Sequence, residues 1–325
     1  VREMIPGMAD VTESIAMRVF ESGEPVTDLE ITGATPMDPG VTRTWIQHWM
    51  PVKGEGGNAV AVSVVIEEIT ERKRSEERLR AAYERELYVS HSLQQALAPE
   101  VLFVGADYPI AAVYIPYYEE EVVGGDLYDV FRTRDGRVGI LIGDVSGKGV
   151  EAAALGSATR NTLRALAYSS PSPKQAVEQA NEVLSGAMQD GDFVTLFLAV
   201  LDPATGALGY CNCGHPPAMI LRTGGTIELM GRQNPPLGAI QGEVAFACGE
   251  TEMRRGDRFV LYTDGISEAR RDSLLFGVDG VERVLRETAR SSPEEALDRL
   301  LRAVDDWSER NIRDDRAAIV IDRRL

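Results

Sequence analysis

The sequence predicts an α+β layered sandwich with largely antiparallel sheets, preceded by a small β-rich region and a charged helix. Three observations carry this. From Leu102 onward, strand-like apolar runs succeed one another without strict β-α-β alternation, helix-like stretches fall irregularly among them, and Gly/Pro clusters mark the connections.

Taken in order, residues 1–70 hold two β-rich runs, Thr44–Pro51 (TWIQHWMP) and Ala59–Ile66 (AVAVSVVI), around the turn-forming KGEGGN. This region is too small for a comfortable core of its own. Residues 71–98 change character: ERKRSEERLRAAYEREL supplies dense charge, while Leu79, Tyr83, Leu87, Ser90, Leu93 and Leu97 step by three or four. That spacing predicts a long amphipathic helix acting as a linker. Its narrow stripe suits a parallel dimer with a second copy or packing on its own domain, and the sequence leaves both open.

Residues 99–325 then read as one domain. Strands are expected at Gly139–Gly143, Val194–Leu201, Leu208–Cys213, Arg258–Thr263 and Ala317–Ile321, and helices at Glu151–Tyr168, Pro173–Met188 and Pro293–Arg310. The connections lie at GHPP (214–217), PPLG (235–238) and RRGD (254–257).

The 325 residues are 44% apolar, enough for one large domain and a smaller partner. With 51 acidic against 34 basic residues the net charge is -17, which repels a phosphate backbone and argues against nucleic acid. The three cysteines, Cys211, Cys213 and Cys248, lack CxxC spacing and are odd in number, so they read as buried thiols of a reducing cytosol. No apolar run reaches the ~18 residues of a membrane span, and no basic-then-apolar leader opens the chain. A cytoplasmic protein is expected.

Chemistry concentrates in four acidic segments beside apolar runs: GGDLYD (124–129), GDVSGKG (143–149), YTDG (262–265) and RDD (313–315). Carboxylates that converge from strand ends make an all-oxygen site for hard divalent cations. In GGDLYD, Gly124 and Gly125 permit tight or left-handed backbone before Asp126, and Asp129 follows three residues on. Asp144 ends an apolar strand ahead of a glycine-punctuated turn and a helix, and Asp264 repeats that placement. Asp314 and Asp315 immediately precede the terminal strand. Any one segment alone is more often a solvated turn; four on strand edges point to a site. SGKG also invites a phosphate-loop reading, but it lacks the Gly-x4-Gly-Lys-Ser/Thr spacing, so Lys148 is expected to be exposed. The three histidines, His48, His91 and His215, form no triad with Ser or Cys.

The order and spelling of these segments resemble the metal-dependent (PPM) Ser/Thr protein phosphatases, in the branch typified by SpoIIE and RsbU. The likeness runs from about Leu93 to Leu325 and includes FVTLFLAVLDPATGALGYCNCGHPPAMIL (193–221), PPLG and GDRFVLYTDGISEAR (256–270). It implies an αββα sandwich, two largely antiparallel sheets flanked by helices, with two Mn²⁺ or Mg²⁺ ions in a cleft at one sheet edge. Asp144 would be the bridging carboxylate that positions the attacking water, and the Val145 carbonyl would complete one shell. Asp126, Asp264 and Asp314 would supply the other carboxylates, with Asp315 as an alternative ligand or a supporting carboxylate. His215, in CGHPP, would be a loop histidine that satisfies backbone groups or, alternatively, an acid catalyst. Two features stand apart: Ala317 replaces the Thr usual after the acidic pair, and the phosphate-binding arginine of the eukaryotic branch is absent, as in the SpoIIE branch generally.

Upstream, GEPVTDLEI and the stretch from RTWIQHWMP through EEITERKRSEERL resemble the C-terminal half of a PAS sensor domain, with the front half missing or abbreviated and any ligand unknown. Residues 1–70 would then be a partial sensor, 71–98 the linker and 99–325 the phosphatase domain. The expected function is a sensor-regulated phosphatase, homodimeric through the linker and PAS-like region, acting on a phosphorylated STAS-type anti-sigma-factor antagonist. The alternatives are a phosphatase-like scaffold with weak or no catalysis and a small-molecule phosphoesterase.

Overall fold

The computed structural model describes residues 9–35, 38–97, 104–117, 124–170, 172–186, 188–189, 191–231, 234–240, 242 and 244–324. The chain divides into two compact units, Val1–Glu86 and Leu87–Leu325.

The first unit contains α1 (Ala9–Ser22), then β1 (Val26–Thr35), β2 (Asp38–Lys53) and β3 (Ala59–Glu68) in one antiparallel sheet of that order, and the start of α2 (Thr70–Leu97). Val19, Ile31, Trp49 and Ile69 form its small buried core. Ile69 N–H donates to the Thr44 carbonyl (2.8 Å) and Thr44 N–H to Thr70 Oγ1 (2.9 Å), which ties the entry of α2 to the sheet. The helix expected over residues 71–98 is found as one element, α2. Of its apolar stripe, Leu79 is exposed, and the side chains of Leu87, Ser90, Leu93 and Leu97 lie outside the described residues.

The second unit has two five-stranded sheets, and every pairing in them is antiparallel. Its elements are β4 (Ile110–Ile115), β5 (Leu127–Arg132), β6 (Val138–Val145), α3 (Val150–Ser169), α4 (Pro173–Ser185), β7 (Val194–Leu201), β8 (Ala207–Cys213), β9 (Ala218–Leu221), β10 (Ile227–Met230), β11 (Gly249–Glu252), β12 (Arg258–Tyr262), α5 (Asp264–Ser267), β13 (Arg270–Arg271), β14 (Leu274–Leu275), α6 (Gly277–Glu287), α7 (Pro293–Trp307) and β15 (Arg316–Asp322). The sheets run β10-β9-β12-β15-β4 and β11-β8-β7-β6-β5.

Side-chain alternation explains the four layers. On β7, Phe197, Ala199 and Leu201 join Ile140, Phe259, Ile319 and Ile321 between the sheets, while Val194, Leu196 and Leu198 face the other way, toward Leu163, Ala176, Val177 and Leu184 of α3 and α4. On β12 and β15, Val260, Tyr262, Ala318 and Val320 pack under α6 and α7. A strand covered on both faces reads as a continuous apolar run, which is why VTLFLAVL and AAIVI stood out. The expected α+β sandwich, sheets against each other and helices outside, is the fold found. α7 starts on a reciprocal cap, Ser292 Oγ accepting from Glu295 N–H and Glu295 from Ser292 N–H, with Pro293 at its first position.

The cysteine expectation needs correction. Cys211 and Cys248 are joined as a disulfide with a Cα separation of 4.5 Å, and only Cys213 remains a buried thiol, its pKa pushed up to about 12 by burial. Pairing of β8 with β11 sets Gly249 opposite Tyr210, so the two cysteines meet across neighbouring strands. A spacing of 37 residues carries no sign of that in sequence.

One buried ion pair of this unit lies away from the carboxylate segments. Arg258 is buried, donates to both Asp322 oxygens (2.6 and 2.8 Å), and donates to the carbonyls of Thr288 (2.7 Å) and Ser291 (2.6 Å), fastening β12 and β15 to the connection between α6 and α7. Arg258→Ala strands a carboxylate and two carbonyls at once. It is expected to cost about 3–5 kcal/mol of stability, read as a lower urea midpoint; a midpoint within error of wild type would show that the pair is not needed.

Candidate metal centre

All four acidic segments come to one end of the sandwich. On the second sheet, the β5–β6 register Leu127↔Gly143 carries Asp126, just before β5, to the level of Asp144 near the end of β6. On the first sheet, the β12–β15 register Tyr262↔Ala318 sets the end of β12, where Asp264 begins α5, beside the entry to β15 and its Asp314–Asp315 pair.

Asp126, Asp144 and Asp264 each offer a carboxylate oxygen within 4.8 Å of the others. Burial and the repulsion of neighbouring carboxylates act on all three. The Asp126 carboxyl is held well above the usual range, first by burial and then by Asp144, against a lowering hydrogen bond from Thr263. Asp144 is raised to about 7 by burial and by Asp264, Asp314 and Asp315. Asp264 is raised by burial, Asp314 and Glu268. Clustered carboxylates of this kind destabilise the fold unless protonated or neutralised by cations. An all-oxygen donor set of several carboxylates with a nearby backbone carbonyl suits Mn²⁺ or Mg²⁺.

The acidic pair before β15 divides by environment. Asp315 is buried, and its Oδ1 accepts from Tyr117 N–H (2.8 Å); burial raises its pKa and that hydrogen bond lowers it. Asp314 is 54% exposed, and its Oδ1 lies 3.4 Å from Lys148 Nζ. Neither belongs to the tight group of three, although both act on Asp144 through their charge. A cavity of about 550 Å³ opens beside them, lined by Gly265, Arg270, Asn311, Arg313 and Asp314 among others.

Close packing, not backbone strain, explains the glycines. Neither Gly124 nor Gly125 has a positive φ, contrary to the left-handed backbone allowed for them. Instead, a Cβ on Gly125 would sit 2.7 Å from the Val145 carbonyl and 3.0 Å from Asp144 Oδ1, and one on Gly124 would collide with the Asp315 carboxylate. Asp129, in the same motif as Asp126, is carried to the other face of β5 by its odd spacing. There it is buried against Arg164 of α3 (3.0 and 3.2 Å), so it serves structure.

His215 lies outside the cluster. Its ring Nδ1 is 3.0 Å from Thr195 Oγ1, its backbone N–H donates to Asn212 Oδ1 (2.9 Å), and Thr195 Oγ1 in turn faces the Asp144 carbonyl (3.5 Å). It is buried, one residue removed from Asp144. Thr263, quoted in YTDG but given no role, is the residue the sequence missed: its Oγ1 donates to Asp126 Oδ2 (2.7 Å) and accepts from Ala317 N–H (2.9 Å), linking the two sheets at the site.

Comparison with known proteins bears on this geometry. The family described as Stage II sporulation protein E (SpoIIE) matches residues 134–324, more than half of the chain. Protein IcfG of Synechocystis sp. is 29% identical over 212 residues, covering 57% of this chain and 33% of that protein. Phosphoserine phosphatase RsbP of Bacillus subtilis is 26% identical over 164 residues, covering 49% of this chain and 40% of its own. The chain thus spans well under half of either relative. Among solved structures, the SiaA-PP2C domain of Pseudomonas aeruginosa superposes with a TM-score of 0.62 at 17% identity, over 76% of this chain and 98% of that one, which supports the fold.

Proposed function

Because the chain belongs to the SpoIIE family, we propose that it is a metal-dependent phosphoserine/phosphothreonine protein phosphatase, and the observation that carries this is the convergence of Asp126, Asp144 and Asp264 oxygens within 4.8 Å. In this reading Asp126, Asp144, Asp264 and Asp314, with the Val145 carbonyl, would hold two Mn²⁺ or Mg²⁺ ions. When bound, such a pair would supply an activated water and charge stabilisation for phosphoryl transfer.

The protein's own residues orient that chemistry. Thr263 occupies one oxygen of Asp126 and fixes its direction, and the absence of side chains at Gly125 keeps the Val145 carbonyl and Asp144 close together. Asp315, satisfied by Tyr117 N–H, acts as a supporting carboxylate. His215 positions Thr195 behind the Asp144 strand. The cavity beside Asp314 gives the peptide flanking the phosphoresidue a route to the site.

The substrate we assign is a phosphorylated STAS-type protein. The N-terminal unit, a three-stranded sheet with one helix, is assigned as the sensor that acts through α2, in the manner of a dimeric PAS-like input. No helix among the described residues is long and apolar enough to cross a membrane. The test is phosphate release from a phosphoserine STAS protein by the full chain and by residues 71–325, in Mn²⁺ and in EDTA. Release that needs Mn²⁺ and changes on removal of residues 1–70 is expected. No release with Mn²⁺ would overturn the phosphatase reading, and identical kinetics of the two chains would overturn the sensor.

A further inference from the structure

Lys148 stands on the turn between β6 and α3, four residues beyond Asp144, flanked by Gly147 (φ 94°) and Gly149 (φ 98°) in conformations that side-chain-bearing residues rarely adopt. Its Nζ is 3.3 Å from the Arg313 carbonyl, 3.4 Å from Asp314 Oδ1 and 5.7 Å from the centre of the Tyr117 ring. The ammonium therefore sits where the segments supplying Asp144, Asp314 and Asp315 meet. It is a positive charge on the rim of a carboxylate cluster.

We propose that Lys148 is an exchangeable counter-ion of this site, neutralising Asp314 in the metal-free protein and moving to the phosphoryl oxygens of the substrate when cations occupy the carboxylates. The inference rests on the two-metal phosphatase reading above. Two features favour exchange over a fixed structural tie. The pair is loose at 3.4 Å, with Lys148 and Asp314 51% and 54% exposed, so it holds with little energy. The lysine stem is long and rotatable, and its three donors suit a phosphate as well as a carboxylate. A divalent ion competes with the ammonium for Asp314, which frees a cation beside the place where phosphate charge arrives.

This makes an uncommon sign prediction. Replacing a structural anchor weakens metal binding, whereas replacing a competitor strengthens it. Calorimetric titration of Mn²⁺ into the full chain, paired with kinetics on a phosphoserine peptide, separates the two for wild type, Lys148→Met and Lys148→Arg. Lys148→Met is expected to bind Mn²⁺ about 2- to 5-fold more tightly, with KM raised by a similar factor, and Lys148→Arg to restore wild-type metal affinity. Metal binding by Lys148→Met that is unchanged or weaker overturns the proposal, as does tighter binding with an unchanged KM. A wild-type chain that binds no Mn²⁺ overturns the two-metal reading itself and the proposal with it.

Discussion

Asp144→Asn is expected to abolish Mn²⁺-dependent phosphate release and, in the same molecule, to stabilise the metal-free fold near neutral pH. The loss follows from removing a central carboxylate of the proposed metal site. Withdrawing several kcal/mol of transition-state stabilisation lowers the rate by about 10³-fold or more. The gain follows from the cluster's repulsion. Asp144 titrates at about 7 in the fold, against 3.8 ordinarily, because it is buried among Asp264, Asp314 and Asp315.

The sign of the pH dependence is fixed by that displacement. Between pH 4 and 7 the folded protein holds a proton that the unfolded chain has released, so stability is full below about pH 4 and falls as pH rises toward 7. Asp126, Asp264 and Asp315 are displaced the same way. For Asp144 alone the loss has a ceiling of about 4 kcal/mol. With Mn²⁺ bound the trend reverses, since the metal selects the ionised carboxylates. Urea midpoints at pH 5 and pH 8, in EDTA and in Mn²⁺, check all of this. A metal-free wild type as stable at pH 8 as at pH 5, or an Asp144→Asn variant no more stable than wild type at pH 8, would show that the carboxylates are compensated by other means.

What the sequence made legible is what depends on periodicity and on local spelling. VTLFLAVL and AAIVI announce strands because both faces are covered, and GDV and YTDG place their aspartates at strand ends. What it hid depends on register. Asp126 and Asp129 share one motif, yet an odd spacing on β5 sends the first toward Asp144 and the second to Arg164. Cys211 and Cys248 meet only because β8 and β11 pair. The charged, glycine-interrupted α6 (GVDGVERVLRE) was not predicted either, since its apolar positions acquire meaning only against Val260 and Tyr262.

The glycine of YTDG shows the same limit and yields the second large effect. Gly265 is buried and has no positive φ, so backbone freedom does not require it. Space does: a Cβ there would overlap the carbonyl oxygen of Asp315 and lie 3.3 Å from Arg316 Cγ. Backbone on that side cannot yield easily. It is pinned by the pairing Arg316↔Ile115, by Ala317 N–H to Thr263 Oγ1 (2.9 Å), by Tyr117 N–H to Asp315 (2.8 Å) and by the Arg316–Asp305 ion pair (2.6 Å). Gly265→Ala must therefore lift α5 with Asp264 or push away the segment bearing Asp314 and Asp315. Overpacking of this kind costs about 1–3 kcal/mol, and displacing a ligand by about 1 Å lowers activity about 100-fold. Gly224→Ala, with open space around its Cβ position and no positive φ, is the matched control and should leave both quantities near wild type. If Gly265→Ala kept wild-type activity and midpoint, the closeness of Asp264 and Asp315 would not be what sets the geometry of the site. If it lost activity while its midpoint moved little, the damage would be confined to the carboxylates, as a site assembled from two sheets and joined through Thr263 predicts.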